Sequence, residues 1–281
     1  FKDSLKNLSD LNLIDFSKFS HRGIEKESLR VSGSNISTSE HPKILGAALT
    51  NPFITTDFSE ALLELITSKA STIEKTLSDL KIILAYTHQN IDDLIWPGSI
   101  PCTIENESDI RIASYGNNNS GKLKELYRIG LSYRYGSMMQ CVSGIHYNFS
   151  LSEEFFRKWQ CSHSEIQPFQ NKKYLNLIRN FRKNAWLLLY LFGASPVIPN
   201  TFLTNRNNFL KPLNNKDLYL ENATCLRMSE LGYMSEAQDD LNIAYNDLDE
   251  YISDLKNALT KRHEPYEKIG LKKGNKHIQI N

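Results

Sequence analysis

The chain has 281 residues, 33 of them Lys or Arg and 32 Asp or Glu, for a net charge of +1. That length supports a hydrophobic core of its own, and so even a charge balance excludes the basic footprint of a nucleic-acid-binding protein. The four cysteines (Cys102, Cys141, Cys161 and Cys225) are scattered with no C-x-x-C pair, which predicts free thiols in a reducing cytoplasm.

Residues 1–20 read as a polar, partly helical lead-in with Leu5, Leu8, Leu11 and Leu13 loosely spaced. A strand is expected next, over His21 to Val31. Read with a period of two, Glu25, Glu27, Leu29 and Val31 share one face, and Ile24, Lys26, Ser28 and Arg30 share the other. Two carboxylates on the face of a Leu and a Val repel each other unless a cation lies between them. An edge strand with both faces wet fits the same residues. A turn follows at Ser32-Gly33-Ser34-Asn35. The segment Ile54 to Thr67 supports two readings. As a strand it puts Glu64 between Leu62 and Ile66, and as a helix it gathers Asp57, Glu60 and Glu64 on one solvated face.

Ser71-Thr72-Ile73-Glu74 has the spacing of a capping box and opens a predicted helix with Ile73, Leu77, Leu80 and Leu84 on its buried stripe, ended by Trp96-Pro97. Further helices are predicted over Lys122 to Tyr135, Asn171 to Phe192 and Asp239 to Ala258. Strands are predicted over Met138 to Leu151 and in the terminal run His277 to Asn281, which follows a Gly274-Asn275 turn signal. Irregular alternation of helices and strands predicts an α+β fold with a largely antiparallel sheet. The longest apolar run, Ala185 to Ala194, is too short to cross a bilayer, so no membrane role is expected. The first residue is Phe and the terminal strand has no following partner, so the sequence reads as cut at both ends.

Two polar stretches bear on chemistry. Gly116, Gly121 and Lys122 have Walker A spacing, but position 123 is Leu where that motif needs a hydroxyl for Mg²⁺. A Gly/Asn-rich turn explains the same string. In Gln140 to Ser150, alternation puts Gln140, Val142, Gly144, His146 and Asn148 on one face, and Ile145, Tyr147 and Phe149 on an opposite, packed face. The first set would make a floor for a polar ligand. Several carboxylates with one imidazole and no cysteine cluster favour a hard cation over zinc. Mg²⁺ completes its shell with water and substrate phosphates, which points to a nucleotide. Arg227 offers a planar fork for a carboxylate or phosphate, and an ordinary surface arginine is the alternative.

The stretches Arg22 to Arg30, Ile54 to Glu64, Ser143 to Ser150 and Leu191 to Pro196 together resemble the bacterial glutamate–cysteine ligases (γ-glutamylcysteine synthetases), in order and spacing, from about Arg22 onward. The resemblance implies the N-terminal part of a longer chain: a single catalytic domain over 1–281, incomplete at its C-terminus. It implies a fold related to glutamine synthetase, with the antiparallel sheet curled into a funnel and helices outside. It makes Glu25, Glu27, Asp57, Glu64 and His146 the Mg²⁺ ligands. Gln140 and Arg227 would hold the amino-acid substrates, and Tyr127 and Tyr233 would line the cysteine pocket. The implied reaction is ATP-dependent joining of glutamate to cysteine through an acyl phosphate, the first step of glutathione biosynthesis, by a cytoplasmic monomer. A further metal-binding acid and a phosphate-binding arginine of the family would lie beyond Asn281. The residues alone leave two rivals: a P-loop NTPase built on Gly116 to Lys122, and a non-catalytic α+β scaffold.

Overall fold

The computed structural model describes residues 2–13, 15–160, 164–193, 195–203, 209–229, 236–238 and 240–280. Helix α1 (Lys2–Asp10) leads into β1 (Ser20–Ser32), the axis of an antiparallel sheet. Strand β1 turns back into β2 (Asn35–Ile36) through Gly33, whose φ of +64° lies where a side chain would be strained. The segment 54–67 resolves as a hairpin of β3 (Ile54–Thr56) and β4 (Leu62–Ile66), so the strand reading holds. Strands β5 (Leu94–Ile95) and β6 (Ile145–Leu151) also pair with β1.

Glu25 and Lys26 have partners on both sides, Ile66 and Leu65 from β4 and His146 and Ile145 from β6. A strand of 13 residues is long enough to be shared by several short ones. The edge-strand reading of this stretch is therefore overturned: β1 is interior. Leu29 and Val31 enter a core with Ile36, Phe58, Leu62 and Ile104. On the other face Leu63 and Leu65 pack with Leu45, Ile54, Leu80 and Leu84, the last two from α2 (Ile73–Gln89).

Thr72 caps α2, its hydroxyl accepting from the Lys75 N–H at 3.2 Å, so the cap lies one residue after the expected Ser71. Only half of the predicted stripe packs against the core: Leu80 and Leu84 are half-buried while Ile73 and Leu77 are exposed, and the helix stops at Gln89, before Trp96. Arg30 on β1 is buried and clamps the neighbouring loops. Its Nη1 lies 2.5 Å from Asp93 Oδ2, and its Nη2 donates to the carbonyls of Ser39, Glu40 and Glu60 at 2.7, 3.0 and 3.0 Å.

Helix α3 (Asn119–Tyr135) is followed by β6, α4 (Glu153–Gln160) and α5 (Ile166–Phe192). Phe155, Phe156 and Trp159 of α4 pack against Phe169 and Tyr174 of α5 and Leu8 of α1. Beyond that contact α5 meets the segment ahead of Leu248, where Arg179 donates to the Tyr245 and Asn246 carbonyls, but most of its apolar side chains are left uncovered. Phe181, Trp186, Leu188, Tyr190, Leu191 and Phe192 are all exposed, Phe192 by 76%. A small second sheet of β7 (Val197–Pro199), β8 (Lys211–Pro212) and β9 (Asp217–Tyr219) shares a core with Met139, Val142 and Leu226.

Helix α6 (Leu248–Thr260) starts well after the expected Asp239, because Asp247 caps it by accepting from the Glu250 N–H at 2.9 Å. Then come α7 (Glu264–Ile269) and a short hairpin, β10 (Lys272–Lys273) and β11 (Lys276–His277). The terminal run is therefore not an unpaired edge of the main sheet. Ile278 is buried, and Gln279 Nε2 donates to the carbonyls of Gly270 and Tyr266 at 2.7 and 3.3 Å. Among the described residues, no helix is long and apolar enough to cross a membrane.

Candidate functional site

Sheet register assembles the acidic cluster. Glu27 of β1 stands directly opposite Glu64 of β4, and Glu25 stands opposite His146 of β6. Positions 25, 27 and 64 alternate with Lys26 and Leu65, which face away, so the three carboxylates and the imidazole share one face. Ligand atoms of Glu25, Glu64 and His146 all lie within 4.8 Å of one another. His146 Nδ1 is 3.1 Å from Glu25 Oε2, and Asn148 Nδ2 donates to Glu25 Oε1 at 2.9 Å.

Glu27 is the buried member. Its Oε2 accepts from the Gly144 N–H at 2.6 Å, and Arg227 Nη1 lies 3.8 Å away. Burial pushes its carboxyl up, and the neighbouring Asp57 adds to that, against the opposing pull of the Gly144 N–H, Arg227 and His146. Glu64 is pushed up to about 7, by burial first and then by Asp57, Glu25 and Glu27. Crowded acids of this kind are short of positive charge.

Asp57 sits in the turn between β3 and β4, held from outside the sheet. Tyr115 Oη donates to the Thr56 and Asp57 carbonyls, at 2.7 and 2.9 Å from them. The Arg128 guanidinium of α3 lies 4.5 Å from the centre of the Tyr115 ring, donates through Nε to the Asp57 carbonyl, and places Nη2 3.7 Å from Asp57 Oδ1. Arg128 and Tyr115 are site-building residues that sequence reasoning missed. One lies on a helix and the other in a loop, and neither breaks a local pattern that would single it out.

The structure corrects the reading of 138–151 as one strand. Gln140 lies buried in a single 3-10 turn, Met139–Cys141, ahead of β6, so it does not continue the polar face of that strand. The ladder stops at Gly144 because Glu27 takes its N–H with a side-chain oxygen while the Gly144 carbonyl accepts from the Glu27 N–H at 2.9 Å. The other face of β6 is not packed either. Ile145, Tyr147 and Phe149 are 68%, 60% and 43% exposed, since alternation defines a face without supplying anything to cover it.

Gly144 matters for a second reason: a Cβ there would lie 2.5 Å from Arg227 Nη1. Arg227, on the 3-10 turn Leu226–Met228, thus reaches Glu27 across a bare backbone position and is no ordinary surface arginine. Glu60, weighed as part of an acidic helix face, is buried in the turn after Asp57 and accepts from the N–H groups of His41 and Ser114 at 2.8 and 2.9 Å. Tyr127 is half-exposed on α3. Tyr233 lies outside the described residues.

The Gly116 to Lys122 loop is not built as a P-loop. Ile110 to Ser114 is not a strand; Ile112 makes one isolated bridge, to Ser59. Asn118 caps α3 by accepting from the Gly121 N–H at 2.7 Å, and Gly121 is packed so closely that a Cβ would meet the Tyr115 carbonyl at 2.4 Å. The capping amide occupies a donor that a phosphate would need.

Interior β1, with Glu25 and Glu27 on the same sheet face as Glu64 of β4 and His146 of β6, defines an α+β protein with a carboxylate-lined antiparallel sheet. The chain belongs to the glutamate–cysteine ligase family, whose model matches residues 5–281. A glutamate–cysteine ligase of Hahella chejuensis is 45% identical over 267 residues, which cover 93% of this chain and 51% of the relative. One from Pseudomonas aeruginosa is 46% identical over 264 residues, 92% of this chain and 50% of its own. The crystal structure of the Francisella tularensis glutamate–cysteine ligase in complex with AMP is similar with a TM-score of 0.86 and 42% identity, over 94% of this chain and 52% of that one. A bifunctional glutathione synthetase from Pasteurella multocida aligns with a TM-score of 0.74 and 28% identity, over 94% of this chain and 32% of that one. The chain thus spans about half the length of the curated relatives it matches.

Proposed function

We propose that the protein is an ATP-dependent ligase that joins the γ-carboxylate of L-glutamate to the amine of L-cysteine, the first step of glutathione biosynthesis. The observation that carries this reading is the register of Glu25, Glu27, Glu64 and His146 on one sheet face, in a chain about half of whose relatives' length it spans and whose relatives are glutamate–cysteine ligases. The AMP bound to the Francisella neighbour supports a nucleotide substrate. On this reading residues 1–281 belong to one catalytic domain, and the sheet forms one wall of a funnel. The unpaired Cys102, Cys141 and Cys225 fit a reducing cytoplasm.

The donor set fits Mg²⁺. Its atoms are carboxylate oxygens with one imidazole, and the acids already raise one another's proton affinity, which a divalent cation would relieve. Glu25, Glu27, Asp57, Glu64 and His146 would hold it. When bound, Mg²⁺ supplies positive charge to phosphate oxygens as charge moves onto the leaving ADP.

In the reaction, an oxygen of the glutamate γ-carboxylate attacks the γ-phosphorus of ATP and ADP leaves. The cysteine amine then attacks the acyl carbon, phosphate leaves, and the amine gives up a proton. The chain's own part is positioning. Arg227 presents a guanidinium fork beside Glu27, where it can orient a substrate carboxylate. Asn148 and His146 fix the rotamer of Glu25, and Arg128 with Tyr115 fixes the Asp57 turn. Gln140 also serves the amino-acid substrates, and Tyr127 and Tyr233 the cysteine side.

The test is an ADP-release assay on the protein in its full natural length. Release is expected only with glutamate and cysteine both present, and unchanged in Lys122→Ala. Amine-independent hydrolysis that Lys122→Ala abolishes would overturn the ligase reading in favour of a P-loop enzyme.

The same assay reads a second prediction. In Gly144→Ala the new methyl must displace the Arg227 guanidinium, the movable end of a long side chain, so stability should change by less than about 1 kcal/mol. The KM for glutamate should rise about tenfold or more, the cost of one charge-assisted contact. An unchanged KM would remove Arg227 from the substrate site.

A further inference from the structure

Two arginines of β1, Arg22 and Arg30, lie on the face opposite Glu25 and Glu27, and both are buried, at 7% and 1% exposure. Arg30 has its counter-charge in Asp93. Arg22 has none. Its guanidinium donates to Ser20 Oγ, its Nε has no hydrogen-bond partner, and among the described residues no carboxylate forms an ion pair with it. A buried charge with one hydroxyl for company is costly unless something negative is bound beside it.

The surroundings supply a place for it. Arg22 lines an open surface cavity of about 430 Å³ with Ser17, Lys18 and the start of α2, Ser71 to Glu74. The wall is pinned: the Arg22 and Ala70 backbones exchange hydrogen bonds of 2.8 and 2.9 Å, which holds the helix start against β1. Thr72 caps the Lys75 N–H, so the Ile73 and Glu74 N–H groups at the first two helical positions have no partner within the helix. The positive end of a 17-residue helix thus opens beside a guanidinium that no described carboxylate pairs with. Lys18 brings a second cation, half-engaged with Asp15 at 3.4 Å, and the one acid in the lining, Glu74, is solvent-exposed.

We propose that this cavity binds a small tetrahedral oxyanion of the phosphate class, held by Arg22, by the Ile73 and Glu74 N–H groups and, at its rim, by Lys18. The site is on the far side of the sheet from the carboxylate cluster, and the inference does not rest on the proposed ligase activity.

The test is titration of the protein with inorganic phosphate at pH 7.5 against chloride of matched ionic strength, read by calorimetry and by melting temperature. Wild type should show a saturable response. Arg22→Met should weaken phosphate binding about tenfold or more, since it removes a charged donor. In phosphate-free buffer Arg22→Met should melt no lower than wild type, because it removes an uncompensated buried charge. Ile73→Pro is the second variant. Proline suits the first helical position, Thr72 is already extended, and the Ile73 side chain is exposed, so this change deletes one N–H with little else. It should fold normally and bind phosphate several-fold more weakly. No saturable response in wild type, or equal phosphate binding in Ile73→Pro, would overturn the site. So would an Arg22→Met variant that melts several degrees lower without phosphate, which would make the guanidinium a structural part of the fold.

Discussion

Replacing Arg30 by Met is expected to cost about 3–5 kcal/mol of folding stability, the range for removing one partner of a buried ion pair. The guanidinium satisfies Asp93 and three loop carbonyls at once, and a methionine leaves all four acceptors behind in a site with little water. Among the described residues, the Ser37 hydroxyl, which donates to Asp93 at 2.8 Å, is what remains to compensate. Urea denaturation gives the number directly. A loss below about 1 kcal/mol would show that the loops re-pair with each other or with water, and that Arg30 is not the clamp described above. The contrast with Arg22→Met is informative in itself, since the same substitution eight residues away on the same face should not lower stability in phosphate-free buffer.

Glu64→Gln is expected to act in the opposite direction. The Glu64 carboxyl binds its proton more tightly in the folded chain, with a pKa raised from 4.5 to about 7. Ionising it therefore opposes folding: the cost is absent below about pH 4.5, grows as pH rises, and is complete above about 7. Its ceiling is about 3 kcal/mol, reduced because solvent reaches part of the side chain. In EDTA, wild type should melt lower at pH 8 than at pH 5 relative to Glu64→Gln, and the glutamine variant should be the more stable of the two at pH 8. Adding Mg²⁺ at pH 8 should raise the wild-type melting temperature and leave the variant nearly unmoved. A variant that is less stable than wild type in EDTA at pH 8, with an undiminished response to Mg²⁺, would remove Glu64 from the metal set.

Much of this site was legible because a strand has a period of two. Glu25 and Glu27 fall on one face by arithmetic, and so do His146 and Asn148. What arithmetic does not give is which strand lies beside which. That Glu27 faces Glu64 across 37 positions of sequence is a matter of long-range pairing, with no local signature. Arg128 and Tyr115 were illegible for the same reason, since they reach Asp57 from a helix and a loop that approach only in the folded chain. Alternation also misled at two points. It carried the β6 pattern back through Gln140, where a 3-10 turn intervenes, and it assigned Ile145, Tyr147 and Phe149 to a packed face that is exposed. The cap of α2 was misplaced by one residue because Ser71 and Thr72 are both good caps and only geometry chooses between them.

For residues 1–281 on their own, the exposed aromatic side chains of α5 are expected to make the yield of folded protein depend on concentration and temperature as well as on internal energetics. Folding of one chain is first order, whereas two chains meeting through Phe181, Trp186, Tyr190 and Phe192 is second order, so crowding the solution tips the competition toward clumping. Such contacts weaken on cooling faster than backbone hydrogen bonds do. Dilute, cold refolding is therefore expected to recover more folded chain than a warm, concentrated preparation.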